Sequence, residues 1–316
     1  MSDCIIPKGY KETSLGVIPK EWEAVRIHEI CTLVNGRAYK QDELLSEGKY
    51  KILRVGNFFT NDSWYFSNLE LEANKYACKG DLLYAWSASF GPRFWTEEKV
   101  IYHYHIWKIC DLKGIDKQYL YFFLDYDASL LQNAIQGGTM HHITKNDMEK
   151  RFIPLPPMEE QQNIAKVLNT WDKAIEKQTQ LIEKLELRKN GLIQQLLSGK
   201  KRLSGFSGEW KKVKAGLLFG SSSIRSNKLE PLLSVTQDKG VVPRDMLETR
   251  VTMPKGDLSS FKLVNAGDFV ISLRSFEGGL EYSKYRGIVS PAYTVLNKKI
   301  DISDVFYKVY FKSYDH

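Results

Sequence analysis

The feature that most constrains this 316-residue chain is that it writes the same outline twice. "LGVIPKEWEAVRIHEIC" (Leu15 to Cys31) and "LSGFSGEWKKVKAGLLF" (Leu203 to Phe219) share an acidic-Trp pair, a basic-apolar alternation and an apolar stretch, and Trp22 and Trp210 lie 188 positions apart. "YACKGDLLYAWSASFG" (Tyr76 to Gly91) aligns with "KLVNAGDFVISLRSFEGG" (Lys262 to Gly279) through Gly80-Asp81 and Gly267-Asp268, an offset of 187. "VIYHYHIWKI" (Val100 to Ile109) then matches "GIVSPAYTVL" (Gly287 to Leu296), and "YLYFFLDY" (Tyr119 to Tyr126) matches "FYKVYFKSY" (Phe306 to Tyr314). Order and spacing hold over some 110 residues, far beyond a solenoid period, so a whole domain is duplicated. Short β-branched and aromatic runs broken by Gly, Asn and Asp predict a strand-rich α/β (α+β) domain, used twice.

Between the copies the pattern changes period. "IPLPPMEEQQ" sets paired prolines before a helix start, with Glu159 and Glu160 favourably placed in the first turn. Ile164, Leu168, Trp171, Ile175, Gln178, Ile182, Leu185, Lys189, Leu192 and Leu196 follow at alternating spacings of four and three, and eight of these ten are apolar. That is a heptad seam, and it predicts a coiled-coil helix from Gln161 to Leu197, about 55 Å long, with Gln178 and Lys189 as polar interruptions that set register. A seam of this length calls for a partner helix. The expected organisation is a first domain over 1–156, a spacer helix over 157–202 and a second domain over 203–316. Beyond Tyr126 the first copy runs on through a loop and the long helix, which the second copy lacks after Tyr314, so the second domain is expected to be incomplete.

Composition narrows the function. At 43% hydrophobic and 26% charged residues, with no apolar run near membrane-span length and no signal-peptide core, the chain is expected in the cytosol. Its four cysteines have no C-x-x-C spacing, as for reduced thiols. The net charge of +7 is uneven: 19 basic against 20 acidic residues over 1–156, 9 against 6 over 157–202, and 17 against 12 over 204–316. A basic surplus permits a nucleic-acid partner without requiring one.

Catalytic patterns are weak. Asp81 with Glu97-x-Lys99 has the carboxylate order of a metal-dependent phosphodiesterase, yet the second copy keeps only Asp268, and Gly80-Asp81 reads better as a turn into a buried strand. There is no phosphate-binding G-x-x-x-x-G-K-[ST] loop, and no Asn-Pro-Pro-aromatic stretch for methylating a base. His103 and His105, read as sharing a strand face, lack a Cys or carboxylate partner at ligand spacing. The expectation is a chain without catalysis, metal or cofactor of its own.

DNA reading needs cations for phosphates and planar polar groups for base edges. The first copy offers Arg37, Lys40, Arg54, Asn57, Ser87, Ser89, Arg93, Thr139, His141, His142 and Lys145. The second offers Arg225, Asn227, Lys228, Gln237, Lys239, Arg274, Ser275, Tyr282 and Lys284. These loops differ between copies while the strand framework is shared, as expected if each copy reads different bases.

The layout, together with "GVIPKEWE", "ILRVGNF", "HITKNDMEKRFIPLPPMEEQQ" and "PLLSVTQDKGVVPRD", resembles the specificity subunit of type I restriction-modification systems across essentially the whole chain. The resemblance implies two target recognition domains, each reading half of a bipartite duplex DNA site. It also implies a spacer helix that docks methyltransferase (modification) subunits and, through them, restriction subunits. S-adenosylmethionine, ATP and magnesium belong to those partners, whose holoenzyme is a site-specific deoxyribonuclease and adenine methyltransferase. The alternative is a scaffold that no longer reads DNA and binds modification subunits, or a homodimer through the central helix.

Overall fold

The computed structural model describes residues 6–59, 61–87, 89–134, 143–227, 229–247, 258–272 and 280–313. The chain divides into two compact units, 1–178 and 179–316, so that one continuous helix contributes to both.

The first unit opens with the hairpin β1 (Tyr10–Thr13) and β2 (Gly16–Pro19), then β3 (Glu23–Arg26), the short α1 (Ile27–Ile30) and β4 (Thr32–Asn35). β5 (Tyr50–Leu53), α2 (Val55–Phe59), β6 (Tyr65–Ser67) and β7 (Tyr76–Ala77) lead into the long β8 (Leu82–Ser87) and β9 (Ser89–Phe94). β10 (Val100–Tyr102), β11 (Ile106–Cys110), α3 (Lys117–Ala134), α4 (Lys145–Lys150) and β12 (Phe152–Leu155) complete it. One four-stranded sheet has the order β4-β11-β8-β9; a second, β6-β5-β10-β7, contains the parallel pair β5 and β10. α3 covers the first sheet, burying Tyr119, Leu120, Leu124 and Ala128 against Leu82, Tyr84 and Trp107. The strands are near-continuously apolar because both of their faces are covered.

Helix α5 (Met158–Leu197) begins three residues before the sequence-predicted start, because the Pro157 carbonyl already accepts from the Glu160 and Gln161 amides. Its 40 residues span about 60 Å.

The second unit carries α6 (Ala215–Leu218), β13 (Phe219–Ser222), β14 (Leu233–Thr236), β15 (Gly240–Pro243) and β16 (Lys262–Val264). After these come β17 (Phe269–Ile271), β18 (Glu281–Tyr282), β19 (Gly287–Val289), β20 (Thr294–Lys298) and α7 (Asp304–Lys312). Its main sheet, β13-β20-β17-β18, repeats β4-β11-β8-β9.

The duplication holds to the single residue. Leu82 faces Ile109 as Phe269 faces Leu296, and Ala77 faces Val100 as Val264 faces Gly287, all at an offset of 187. A slip of one residue would turn every core side chain outward, so this shared register means that both copies bury the same sheet face. The turn before the central strand is also the same. Cys78 and Asn265 amides donate to Asp81 and Asp268 Oδ2 (2.8 and 2.7 Å), and Gly80 and Gly267 amides donate to Trp95 and Ser283 carbonyls (2.7 and 2.8 Å). Gly80 and Gly267 sit at φ +89° and +97°, where a Cβ is strained. The helix caps correspond as well: Asp116 Oδ1 accepts from the Tyr119 amide and Ser303 Oγ from the Phe306 amide.

Candidate nucleic-acid interface

At one end of the first unit, four segments converge because their strands end side by side. The β10–β11 turn carries His103, Tyr104 and His105; these lie in a turn rather than along a strand, since the chain reverses between two neighbouring strands of different sheets. The loop after β4 joins it through an Arg37–His103 bridge, the end of β5 through the His103 amide donating to the Leu53 carbonyl, and β8 through the Trp86 amide donating to the His105 carbonyl.

The side chains form an aromatic cluster with a basic border. Tyr39 stacks on His103 (6.3 Å), His103 and His105 ring centres are 4.9 Å apart, and Trp86 meets His105 edge-on at 4.9 Å and Tyr104 at 6.0 Å. Burial pushes the His103 imidazole down to about 4, helped by the neighbouring His105 and Arg54 charges, so it is neutral at physiological pH. The exposed Arg54 guanidinium lies 5.4 Å over the Tyr65 ring. Sequence reasoning took the two histidines only as weak metal ligands and passed over Trp86 and Tyr104; the "YHYH" run beside Arg54 was the available signal.

Some sequence-predicted residues are free to meet a ligand and others hold the fold. Lys40, Arg54, Ser89, Arg93 and Lys145 are exposed; Arg93 lies over Phe58 and Phe59, and Lys145 pairs with Glu149 on α4. Arg37 is engaged by Glu43 in a two-pronged ion pair (3.0 and 2.7 Å), Asn57 donates to the Asn61 and Ser63 carbonyls, and Ser87 is buried at the end of β8. In the second unit Arg225, Gln237, Lys239 and Lys284 are exposed, and Asn227 donates to the Arg225 carbonyl. Tyr282 packs on Phe269 and donates to Asp304 Oδ2 at 2.5 Å, a bond that pushes its hydroxyl up to about 12. Thr139, His141, His142, Lys228, Arg274 and Ser275 lie outside the described residues.

The residues proposed for catalysis have structural partners. Asp81 accepts from its turn amide and pairs with Lys108 at 2.7 Å, Glu97 faces Lys51 at 3.8 Å, and Lys99 lies over the Tyr76 ring. No group of three metal-ligating side chains occurs among the described residues, and no described helix is long and apolar enough to cross a membrane.

The heptad seam is used unevenly. Ile164 packs on the first unit's core and Leu196 lines a groove in the second, whereas Leu168, Trp171, Ile182, Leu185 and Leu192 are exposed, Trp171 by 66%. Ile175, Gln178 and Lys189 are exposed as well.

A mixed α/β scaffold used twice, with a long heptad helix following the first copy, defines a modular two-copy protein. Residues 19–187 match the profile of the type I restriction modification DNA specificity domain, just over half of the chain, and the protein belongs to that family. It is 27% identical to the type I restriction enzyme MjaVIII specificity subunit of Methanocaldococcus jannaschii, over 98% of this chain and 81% of that protein. The putative MjaX specificity subunit of the same organism is 28% identical, with 62% of this chain and 47% of that protein aligned. A crystal structure of the type I S subunit from M. genitalium shares the fold, with a TM-score of 0.56 at 16% identity over 93% of this chain and 77% of that one.

Proposed function

We propose that this chain is the DNA-reading, non-catalytic component of a type I restriction-modification complex, recognising a two-part duplex site with one copy of the scaffold per half. The observation that carries the reading is the pairing of an identical sheet register with dissimilar loops: the framework is conserved where bases are not read and rewritten where they would be. Supporting it, Arg54, Lys40 and Ser89 are exposed on segments around the Trp86–Tyr104–His105 cluster, and Arg225, Lys239 and Lys284 are exposed in the second unit. Methylation and cleavage belong to modification and restriction subunits, which bring S-adenosylmethionine, ATP and magnesium. The test is selection from a randomised duplex pool with and without a modification subunit. A split motif with a fixed spacer is expected; a single half-motif limits recognition to one copy, and no enrichment defeats the reading.

The exposed seam favours a second role for α5, pairing with the same helix of another copy in a two-fold coiled coil. Light scattering without modification subunits is expected to give the mass of a dimer, and a monomer at micromolar concentration removes this role.

A further inference from the structure

The turn between β10 and β11 and its counterpart between β19 and β20 share a backbone and differ in every side chain. Ile106 donates its amide to the His103 carbonyl (3.0 Å), and 187 residues later Tyr293 donates its amide to the Ser290 carbonyl (3.1 Å), so the chain reverses in the same way. The first three residues of the turn are His103-Tyr104-His105 in one copy and Ser290-Pro291-Ala292 in the other. The second turn shows that the reversal itself needs no aromatic residue. In the first, Tyr104 is 36% exposed and His103, His105 and Trp86 are half-buried, so the cluster keeps ring surface in contact with water.

The polar groups of the cluster limit what it recognises. The indole N–H of Trp86 is spent on the Tyr104 carbonyl (2.9 Å). The His103 imidazole is neutral and packs beside Tyr39 and Tyr104, with ring centres 6.3 and 4.5 Å away. Tyr104 in turn lies 3.9 Å from the His105 ring and 6.0 Å from that of Trp86. The exposed offer is mainly ring carbon, held in place by neighbouring rings. The major groove of a duplex presents one apolar group, the thymine 5-methyl; its other base features there are hydrogen-bond donors and acceptors. The border of the cluster suits a polyanion better than an apolar protein surface. Arg54 is exposed over Tyr65 and near enough for its charge to act on His103, and Lys40, next to Tyr39 in the chain, is exposed as well.

We infer that Tyr104, backed by Trp86 and His105, reads the 5-methyl group of one thymine in the half-site of the first copy, a ring contact that the second copy does not repeat. The inference deepens the DNA-reading function proposed above and rests on it. It makes the two halves of the site chemically unlike at equivalent turns: one is sensitive to a methyl through an aromatic face, and the other presents a serine whose Oγ accepts from the Ala292 amide (3.4 Å).

The duplex selected from the randomised pool tests this when deoxyuridine replaces each of its thymines in turn, a change that removes only the methyl. One thymine, in one half-site, is expected to lose about fourfold in affinity for the full chain, the worth of one buried methyl. Tyr104→Ala is expected to bind the unmodified duplex about fourfold more weakly and to be indifferent to the replacement at that thymine, whereas Tyr104→Phe, which keeps the ring, keeps the penalty. The main-chain bonds of Tyr104, from its amide to the Arg37 carbonyl and to its carbonyl from Trp86, do not depend on its side chain, so the turn is expected to survive both substitutions. The inference alone is overturned if a split motif is selected but no single thymine shows the penalty, or if Tyr104→Ala retains it in full. Tighter binding to a mismatch at that thymine, with or without its methyl, also overturns it, since the cluster would then stack on an unpaired base. No enrichment from the pool removes the DNA-reading function and this inference with it.

Discussion

Asp81 and Asp268 stand at the same place in the two copies and live in different electrostatic surroundings. Each accepts a main-chain N–H in the same glycine turn, but Asp81 also faces Lys108 at 2.7 Å, whereas the position equivalent to Lys108 is Val295, fully buried. Asp268 is 7% exposed, and burial pushes its carboxyl above the ordinary value of 3.8. The comparison teaches that the repeat is conserved in its backbone hydrogen bonds and free in its side-chain charges. The first copy pairs its half-buried carboxylate with a lysine; the second buries its carboxylate without one and tolerates the cost.

The largest effect that would break the comparison lies at close backbone approaches unique to each copy. A Cβ on Gly36 would lie 2.2 Å from the Tyr102 carbonyl oxygen, and one on Gly287 would lie 2.4 Å from that of Pro231. Gly36→Ala and Gly287→Ala are each expected to cost about 3 kcal/mol. Proteolysis read by mass spectrometry should show each opening its own unit first; loss of both units together would mean that the copies fold as one. Next in size, Arg54→Ala and Arg274→Ala are each expected to weaken specific DNA binding by about 2 kcal/mol while leaving stability intact. Unchanged specific affinity in both variants removes them from the reading surface.

A sharper test of equivalence uses the turns. Gly80→Ala and Gly267→Ala are expected to cost the same, about 1.5 kcal/mol, in denaturant titration, because both glycines have nearly the same positive φ and an added Cβ meets nothing at Gly80 and only an ordinary contact with Asp304 Oδ2, at 3.5 Å, at Gly267. Unequal costs would show that the second turn is held differently. The smallest effect distinguishes the two aspartates. Asp81→Asn is expected to destabilise by about 1 kcal/mol through loss of the Lys108 pair, and Asp268→Asn hardly at all at neutral pH. The sign for Asp268 follows from its raised pKa. The native state holds the proton more tightly than the unfolded one, so stability from this group is full below pH 3.8 and declines as pH rises through the higher folded value. Urea midpoints of the Asp268→Asn variant should lose that part of the decline.

Much of this was legible in the sequence because duplication turns weak signals into paired ones. Gly80-Asp81 alone is an ordinary turn; the same pair 187 residues later, before an equally apolar run, marks a strand register that the structure reproduces. The long helix was legible from its seam and its prolines. Strand partners were less so. β3 finds β12 across 125 intervening residues, and nothing local in Lys211–Lys214 says that the same pairing is not made there. The aromatic cluster was hidden because Trp86 and Tyr104 come from different strand ends, and only the adjacency of β8 and β11 brings them together. The residues Arg37, Asn57 and Tyr282 have the chemistry of DNA contacts and are held by Glu43, main-chain carbonyls and Asp304, partners that their sequence neighbourhoods do not announce.

The shared turn has an evolutionary consequence. In each copy it is tied by four hydrogen bonds of which three are purely main chain, with one aspartate as the only side chain required. A corner built this way constrains its glycine and its aspartate and little else around them. The loops at the ends of its strands are therefore free to drift, recombine or be exchanged wholesale between lineages while the sheet beneath them keeps its pairing, and a new specificity need not await a new fold.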